Sequence, residues 1–255
     1  MIITDTHTHL YSEAFDTDRH EVINRAINNN IKRFFIPAID STYTQAMLKL
    51  EKDYPEHMFL MTGLHPTSVK DDYTKELKHV EDLLIQRKFY AIGEIGIDLY
   101  WDKTTLGIQK KAFKHQIHLA KHYKLPIVIH CRDAFDEIFD VLDEEKSEDL
   151  FGIFHCFTGT LEQANKAISY NMKLGIGGVV TFKNGGIDQF IGQIDLKHIV
   201  LETDSPYLAP KPYRGKRNES SYIIMVLDKL SELYGISKER IAEITTQNSM
   251  DIFKI

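Results

Sequence analysis

The sequence predicts an α/β protein of the TIM (β/α)8-barrel class, built as a single domain over residues 1–255, and two observations carry that prediction. Eight short apolar runs alternate with eight amphipathic stretches, the order that parallel strands with crossover helices produce. Histidines and carboxylates recur just beyond several of the apolar runs, and in a closed barrel the C-terminal strand ends meet at one face. A doubly wound open sheet is the runner-up. It usually places a Gly-rich phosphate loop after the first strand, where this chain has the His-x-His of "THTHL".

Taken in order, "MIITD" precedes "DRHEVINRAINNN", "KRFFIPA" precedes "TYTQAMLKLEKDY", and "HMFLMTGLHP" precedes "YTKELKHVEDLLIQR". The pattern continues with "FYAIGEIGID" and "IQKKAFKHQIHLAKHY", then "LPIVIHCRD" and "AFDEIFDVLDEE". It ends with "LFGIFHCFTG" and "LEQANKAISYN", "MKLGIGGVV" and a weaker helix near 187–194, and "KHIVLETDSP" and "SSYIIMVLDKLSELYG". Apolar residues recur every three to four positions in the long stretches, as a helix packed on one face requires. The glycines of "GIGG" and "NGG" match neither a dinucleotide fingerprint nor a P-loop and read as turns. No Pro-, Gly- or Ser-rich linker divides the chain.

Composition narrows the class further. Hydrophobic residues make up 43% and charged residues 27%, ordinary values for a globular protein, and no apolar run approaches the roughly 20 residues of a membrane helix. Met1 leads directly into a strand-like run without the basic flank and apolar core of a signal peptide, so the expected compartment is the cytoplasm, with no membrane and no obligate protein partner. The net charge of -6 excludes a uniformly basic surface but leaves room for a local basic patch. Two cysteines, Cys131 and Cys156, are too few for a disulfide framework. Each follows a histidine, so strand alternation turns it toward the packing helices as a small buried side chain.

The chemistry concentrates at strand ends. His7 and His9 follow the first strand, Glu94 lies in "AIGEIG", His130 in "VIHCRD", His155 in "IFHCF" and Asp204 in "LETDSP". The intervals fit one strand–helix unit from Glu94 to His130, one from His130 to His155 and two from His155 to Asp204, which assigns strands one, four, five, six and eight. Four histidines and two carboxylates exceed the three protein ligands plus water of a single catalytic zinc, and suit two divalent ions. Glu94 has two oxygens to share as a bridge. His7 and His9 would hold one ion, His130 and His155 the other, and Asp204 would sit near the attacking water and take its proton. Zn, Mn and Mg all suit this nitrogen and oxygen set. Asp5, two residues before His7, reads as a structural carboxylate that orients an imidazole. His115, His118 and His122 share a helix face but lack the H-E-x-x-H arrangement, which favours a solvated face.

Seven motifs in order, "THTHL", "GLHP", "AIGEIGIDLYWD", "PIVIHCRDA", "HCFTG", "LETDSPYLAP" and "RGKRN", resemble the TatD family of metal-dependent deoxyribonucleases within the amidohydrolase superfamily. The resemblance runs from Asp5 to "NSMDIF". It implies a TIM barrel, two divalent metals and phosphodiester hydrolysis, with His7, His9, Glu94, His130, His155 and Asp204 as ligands. The chain departs from the family where Ser220 follows Glu219 in place of proline, and where "GIDLYWD" replaces Gly-Leu-Asp-Tyr-Tyr. Neither departure touches a candidate ligand.

Two further elements bear on substrate. "KPYRGKRN" supplies Lys211, Arg214, Lys216 and Arg217 with Tyr213 just after Asp204, residue types suited to phosphate contacts and base stacking. His65, before Pro66 at the end of strand three, is placed to donate to a phosphoryl oxygen or to the transition state. The expected activity is a 3′-to-5′ exonuclease on DNA using a metal-bridged hydroxide, with Asp204, Glu94 and His65 as catalytic residues. The rival reading is hydrolysis of an amide or ester in a small metabolite or an aminoacyl-tRNA. A barrel that only binds nucleic acid is a further rival, and the intact ligand set argues against it.

Overall fold

The computed structural model describes residues 1–255, and every apolar run read as a strand forms one. These are β1 (Ile3–Asp5), β2 (Ile31–Ile36), β3 (Met58–Leu60), β4 (Ile92–Asp98), β5 (Ile127–Arg132), β6 (Gly152–Phe154), β7 (Met172–Ile176) and β8 (Ile199–Leu201). All pairings are parallel, in ladders ordered β1-β2-β3 and β4-β5-β6-β7-β8. Two seams join the ladders. Thr62 bridges Ile92, and the Gly93 N–H donates to the Thr62 carbonyl at 2.8 Å. At the other seam Thr8 bridges Ser205, and the Thr6 N–H donates to the Leu201 carbonyl at 2.9 Å. Sequential strands are therefore neighbours all the way round, and the sheet closes into a TIM barrel.

The helices are α1 (Arg19–Asn28), α2 (Thr44–Asp53), α3 (Tyr73–Gln86), α4 (Leu106–Tyr123), α5 (Phe135–Glu145), α6 (Leu161–Ser169), α7 (Ile223–Tyr234) and α8 (Lys238–Phe253). Local chemistry explains several of their ends. Thr160 and Gln163 close a capping box at the start of α6, while Gly235, at φ 67°, ends α7 in the left-handed conformation that glycine adopts without steric cost. Two features differ from the sequence expectation. The weak helix near 187–194 is replaced by the 3-10 turns Ile187–Gln189 and Ile191–Gln193, since glycines at 185, 186 and 192 leave too little uninterrupted helix former. Helix α8 is additional. Thr245, Asn248 and Ser249 lie on its buried face among Ile241, Ala242, Ile252 and Phe253, which blurs the apolar period.

Strand alternation divides the core in two. One face of the strands packs with the helices in a single large cluster that includes Phe34, Ile36, Ile127, Ile129, Phe154, Leu174 and Leu201. The opposite face contributes Phe35, Met61, Ala91, Val128, Ile153 and Val200 to a separate cluster with Ile252 and Phe253. This second cluster draws on strands all around the ring, so it fills the barrel interior. Phe253 stacks on Phe35 with ring centroids 3.6 Å apart, and the end of α8 thereby forms the barrel floor.

Candidate metal centre

Moving two residues along each strand from this apolar floor keeps the side chain on the inner face. Val128 leads to His130, Ile153 to His155 and Val200 to Glu202, and on the first strand Asp5 leads to His7 and His9. Glu94 reaches the same space by another route. The β4–β5 register shifts between Gly93 and Ile95, leaving Glu94 as the extra residue of a bulge, a device that re-aims a side chain. Its carboxylate is buried with 3% of its side chain exposed.

The two oxygens of Glu94 face two different groups. Oε2 lies 3.1 Å from His7 Nε2 and 3.7 Å from His9 Nε2. Oε1 lies 2.7 Å from His130 Nδ1, 3.0 Å from His155 Nε2 and 3.2 Å from His65 Nε2. Asp204 completes the first group, with Oδ1 3.4 Å from His9 Nε2 and 3.8 Å from His7 Nε2. All six candidate ligands predicted from sequence therefore converge, and His65 joins them. Burial alone would push the Glu94 carboxyl up, but the surrounding imidazoles His155, His65 and His7 hold it well below the usual carboxylate range.

The outward nitrogens show whether this set fits a metal. His130 points Nε2 at Asp98 Oδ2, 2.9 Å away, and a carboxylate there fixes the ring proton on Nε2 and leaves the Nδ1 lone pair facing inward. His9 Nδ1 pairs with the Tyr11 hydroxyl at 2.9 Å. His155 Nδ1 lies 3.4 Å from Glu202 Oε1, a charge contact outside hydrogen-bond geometry. For His130 the outer carboxylate directs an inward lone pair at the centre, the His9 and His155 rings turn a second nitrogen to the same small space, and no lysine or arginine enters it. That donor set fits divalent cations. His65 has the opposite arrangement: its Nδ1 accepts the Thr67 N–H at 3.1 Å, so the neutral ring carries its proton on Nε2, toward the centre.

A search of protein-family models matches residues 4–254 to the family described as TatD related DNase. The chain belongs to the TatD family. An uncharacterized metal-dependent hydrolase, YabD of Bacillus subtilis, is 41% identical over the full length of both chains. A 3'-5' ssDNA/RNA exonuclease, TatD of Salmonella typhimurium, is 30% identical over 98% of each chain. The crystal structure of YjjV, a TatD homologue from Escherichia coli K12, superposes with a TM-score of 0.93 at 27% identity, covering 99% of this chain and 98% of that one. The protein is thus a metal-dependent hydrolase of the TatD family on a TIM barrel. None of its helices is long and apolar enough to cross a membrane.

Several TatD-family residues around the centre escape a reading of the sequence alone. Glu202 is fully buried and accepts the Cys156 N–H at 2.5 Å. A Cβ on Gly175 would stand 2.1 Å from its Oε2, so β7 leaves out a side chain to make room for it. Asn218, in "RGKRN", donates to the carbonyls of Thr203 and Tyr207 at 2.8 and 2.7 Å, clamping the loop that holds Asp204 in the left-handed region at φ 55°. The available signal for Asp98, Tyr11 and Glu202 is face parity, since each sits an even number of positions from a candidate ligand on its own or the next strand segment.

Other sequence-derived residues land elsewhere. Asp5 orients no imidazole; its carboxylate accepts from the Thr203 N–H and hydroxyl at 3.0 and 2.7 Å, and burial pushes its pKa up to about 7. Cys131 packs against the outer core, and burial pushes its thiol up to about 12. Cys156 borders the acidic centre instead, because β6 ends at Phe154 and the chain turns at Cys156 with φ 44°. In the basic loop, Lys211 and Lys216 are exposed, Arg214 lies over Phe182 at 3.6 Å, and Tyr213 stacks on Tyr222 at 4.0 Å. Arg217 is committed within the fold, bidentate to Asp18 at 2.7 and 2.6 Å. His115 and His118 pair with Glu81 and Glu145 of neighbouring helices.

Proposed function

We propose that this chain hydrolyses phosphodiester bonds in DNA, removing nucleotides from a 3′ end, with two divalent ions that His7, His9, Glu94, His130, His155 and Asp204 would hold. The observation that carries the reading is the division of the Glu94 carboxylate, one oxygen toward His7 and His9 and the other toward His130 and His155. The Salmonella relative, named as a 3'-5' ssDNA/RNA exonuclease, supports the choice of substrate and polarity. The continuous ring of strands favours a single domain.

Bound Zn, Mn or Mg would supply an activated water and Lewis-acid contacts to the phosphate oxygens. The chain supplies the proton movements and the aim. Asp204 accepts the proton of the attacking water at its carboxylate, which the His9 contact and the 203–207 loop hold in place. The Nε2–H of His65 donates a hydrogen bond to a non-bridging phosphoryl oxygen, and burial, which lowers its pKa, keeps the ring neutral with that N–H in place. Lys211, Arg214 and Lys216 contribute charge to the bound backbone.

The test is end-labelled single-stranded and duplex DNA incubated with the purified protein and Mg, Mn or Zn, or with chelator. A ladder shortening from the 3′ end, lost in chelator and in Glu94→Ala and Asp204→Asn, is expected. DNA left intact under every metal, while a panel of esters and amides turns over, would replace this reading with the small-metabolite or aminoacyl-tRNA one.

A further inference from the structure

The turn after β4 carries side chains that the chemistry above leaves unused. Tyr100 and Trp101 are 54% and 70% exposed, and their rings meet edge to face with centroids 4.9 Å apart. Arg132, two residues beyond His130 on β5, places Cζ 3.7 Å from the Tyr100 ring centroid and 5.6 Å from that of Trp101. Its guanidinium forms no ion pair within the chain, although the protein pairs many of its other cations.

Asp98 ties this cluster to the centre. One carboxylate oxygen accepts the N–H groups of Tyr100 and Trp101 at 3.0 and 3.2 Å; the other faces His130 Nε2 at 2.9 Å. The aromatic turn and a candidate ligand are thus held by the same side chain, which sets the exposed rings relative to the candidate metal centre. Arg132 also borders an open groove with Thr158, Thr160 and Gln189, which gives a bound strand a path away from the centre. An exposed indole beside an unpaired guanidinium suits a planar base followed by a phosphate.

We infer that Tyr100 and Trp101, braced by Arg132, form a stacking subsite for an unpaired nucleobase of single-stranded nucleic acid, with Arg132 meeting the adjoining phosphate. The inference rests on the phosphodiesterase reading for the identity of its ligand. Both faces of a base within a duplex are already stacked, so the subsite favours a frayed or single-stranded end.

Trp101 is the only tryptophan in the chain, so its emission reports on the subsite directly. Metal-loaded wild type is mixed in a stopped-flow instrument with a short oligothymidylate, and separately with an abasic chain of equal length. Saturable quenching by the first and none by the second is expected. In steady-state turnover, Trp101→Ala should raise KM for oligothymidylate about tenfold with little change in kcat. It should leave turnover of the abasic chain as in wild type, and Trp101→Phe should restore most of the lost affinity. Equal quenching by both chains, an unchanged KM, or an equal loss on both substrates would overturn the subsite, the last by exposing a structural effect passed through Asp98. A wild-type protein that leaves all DNA uncut overturns the catalytic reading, and the quench then decides the subsite separately.

Discussion

Glu202 Oε1 stands 3.4 Å from His155 Nδ1, while its Oε2 fills the space a side chain at Gly175 would need. A buried carboxylate behind an imidazole fixes the ring's orientation and raises its basicity as a ligand. Glu202→Gln should therefore weaken metal affinity about 10- to 100-fold, read by competition with a chromogenic chelator. Gly175→Ala should weaken it as well by displacing the carboxylate. Wild-type affinity in both variants would rule out an orienting role.

The division of Glu94 between two groups of histidines makes a stoichiometric prediction. Metal analysis after dialysis should find about two ions per wild-type chain and no more than one in Glu94→Ala. A single ion in the wild type would argue that one of the two groups stays vacant.

The floor of the barrel should respond to truncation as a packed core does. Phe253→Ala removes the ring stacked on Phe35, and a loss of about 3–5 kcal/mol is expected in urea unfolding. A loss below about 1 kcal/mol would show that the floor collapses around the gap.

Arg217 and Lys216 should behave differently although they are adjacent. Arg217→Ala breaks the bidentate pair with Asp18, so a stability loss of about 1 kcal/mol is expected with little effect on the salt dependence of DNA binding. Lys216→Ala should do the reverse, reducing the slope of log affinity against log salt by less than about one. Equal effects on DNA binding would return Arg217 to the substrate-binding set.

Arg25 and Glu219 predict a pH dependence. Burial pushes the Glu219 carboxyl up, but hydrogen bonds from Arg25 and Ser221 outweigh it and hold the group below its usual value of 4.5. The folded state therefore favours the charged form. Its contribution is fully present above the unfolded value and is lost as the pH falls through the lower folded one. Wild type should exceed Glu219→Gln in stability at neutral pH, and the gap should close below about pH 4. A gap that is constant from neutral to acid would assign the effect to packing.

Strand order and the ring of ligands were legible because both follow from alternation: a buried histidine two residues past a buried valine or isoleucine has few explanations but a shared polar site. What stayed hidden depends on tertiary contacts. Arg217 looks like its neighbours in "RGKRN" until Asp18, 199 positions earlier, comes alongside. The inward parity of β4 switches at a bulge, from Ala91 in the barrel interior to Glu94 and Asp98 at the centre, a change that strict alternation from Ala91 does not anticipate. Helix α8 hides because polar groups on its buried face find partners in the barrel; Asn248 donates to the carbonyls of Leu196 and Ile199 at 2.7 Å each.

The seam between β1 and β8 has a kinetic consequence. Asp5 and Thr203, joined there by two hydrogen bonds, are 198 positions apart in the chain, and His7 and Asp204 flank them on the same seam. Contacts of such separation are costly in loop entropy and form late. Until this closure occurs, the donors on β1 and those on β4 to β6 stand apart, and the full set is not assembled. Cations present during refolding should consequently leave the early, compacting phase unchanged and act on the final ring-closing step, after which they would slow reopening of the same seam.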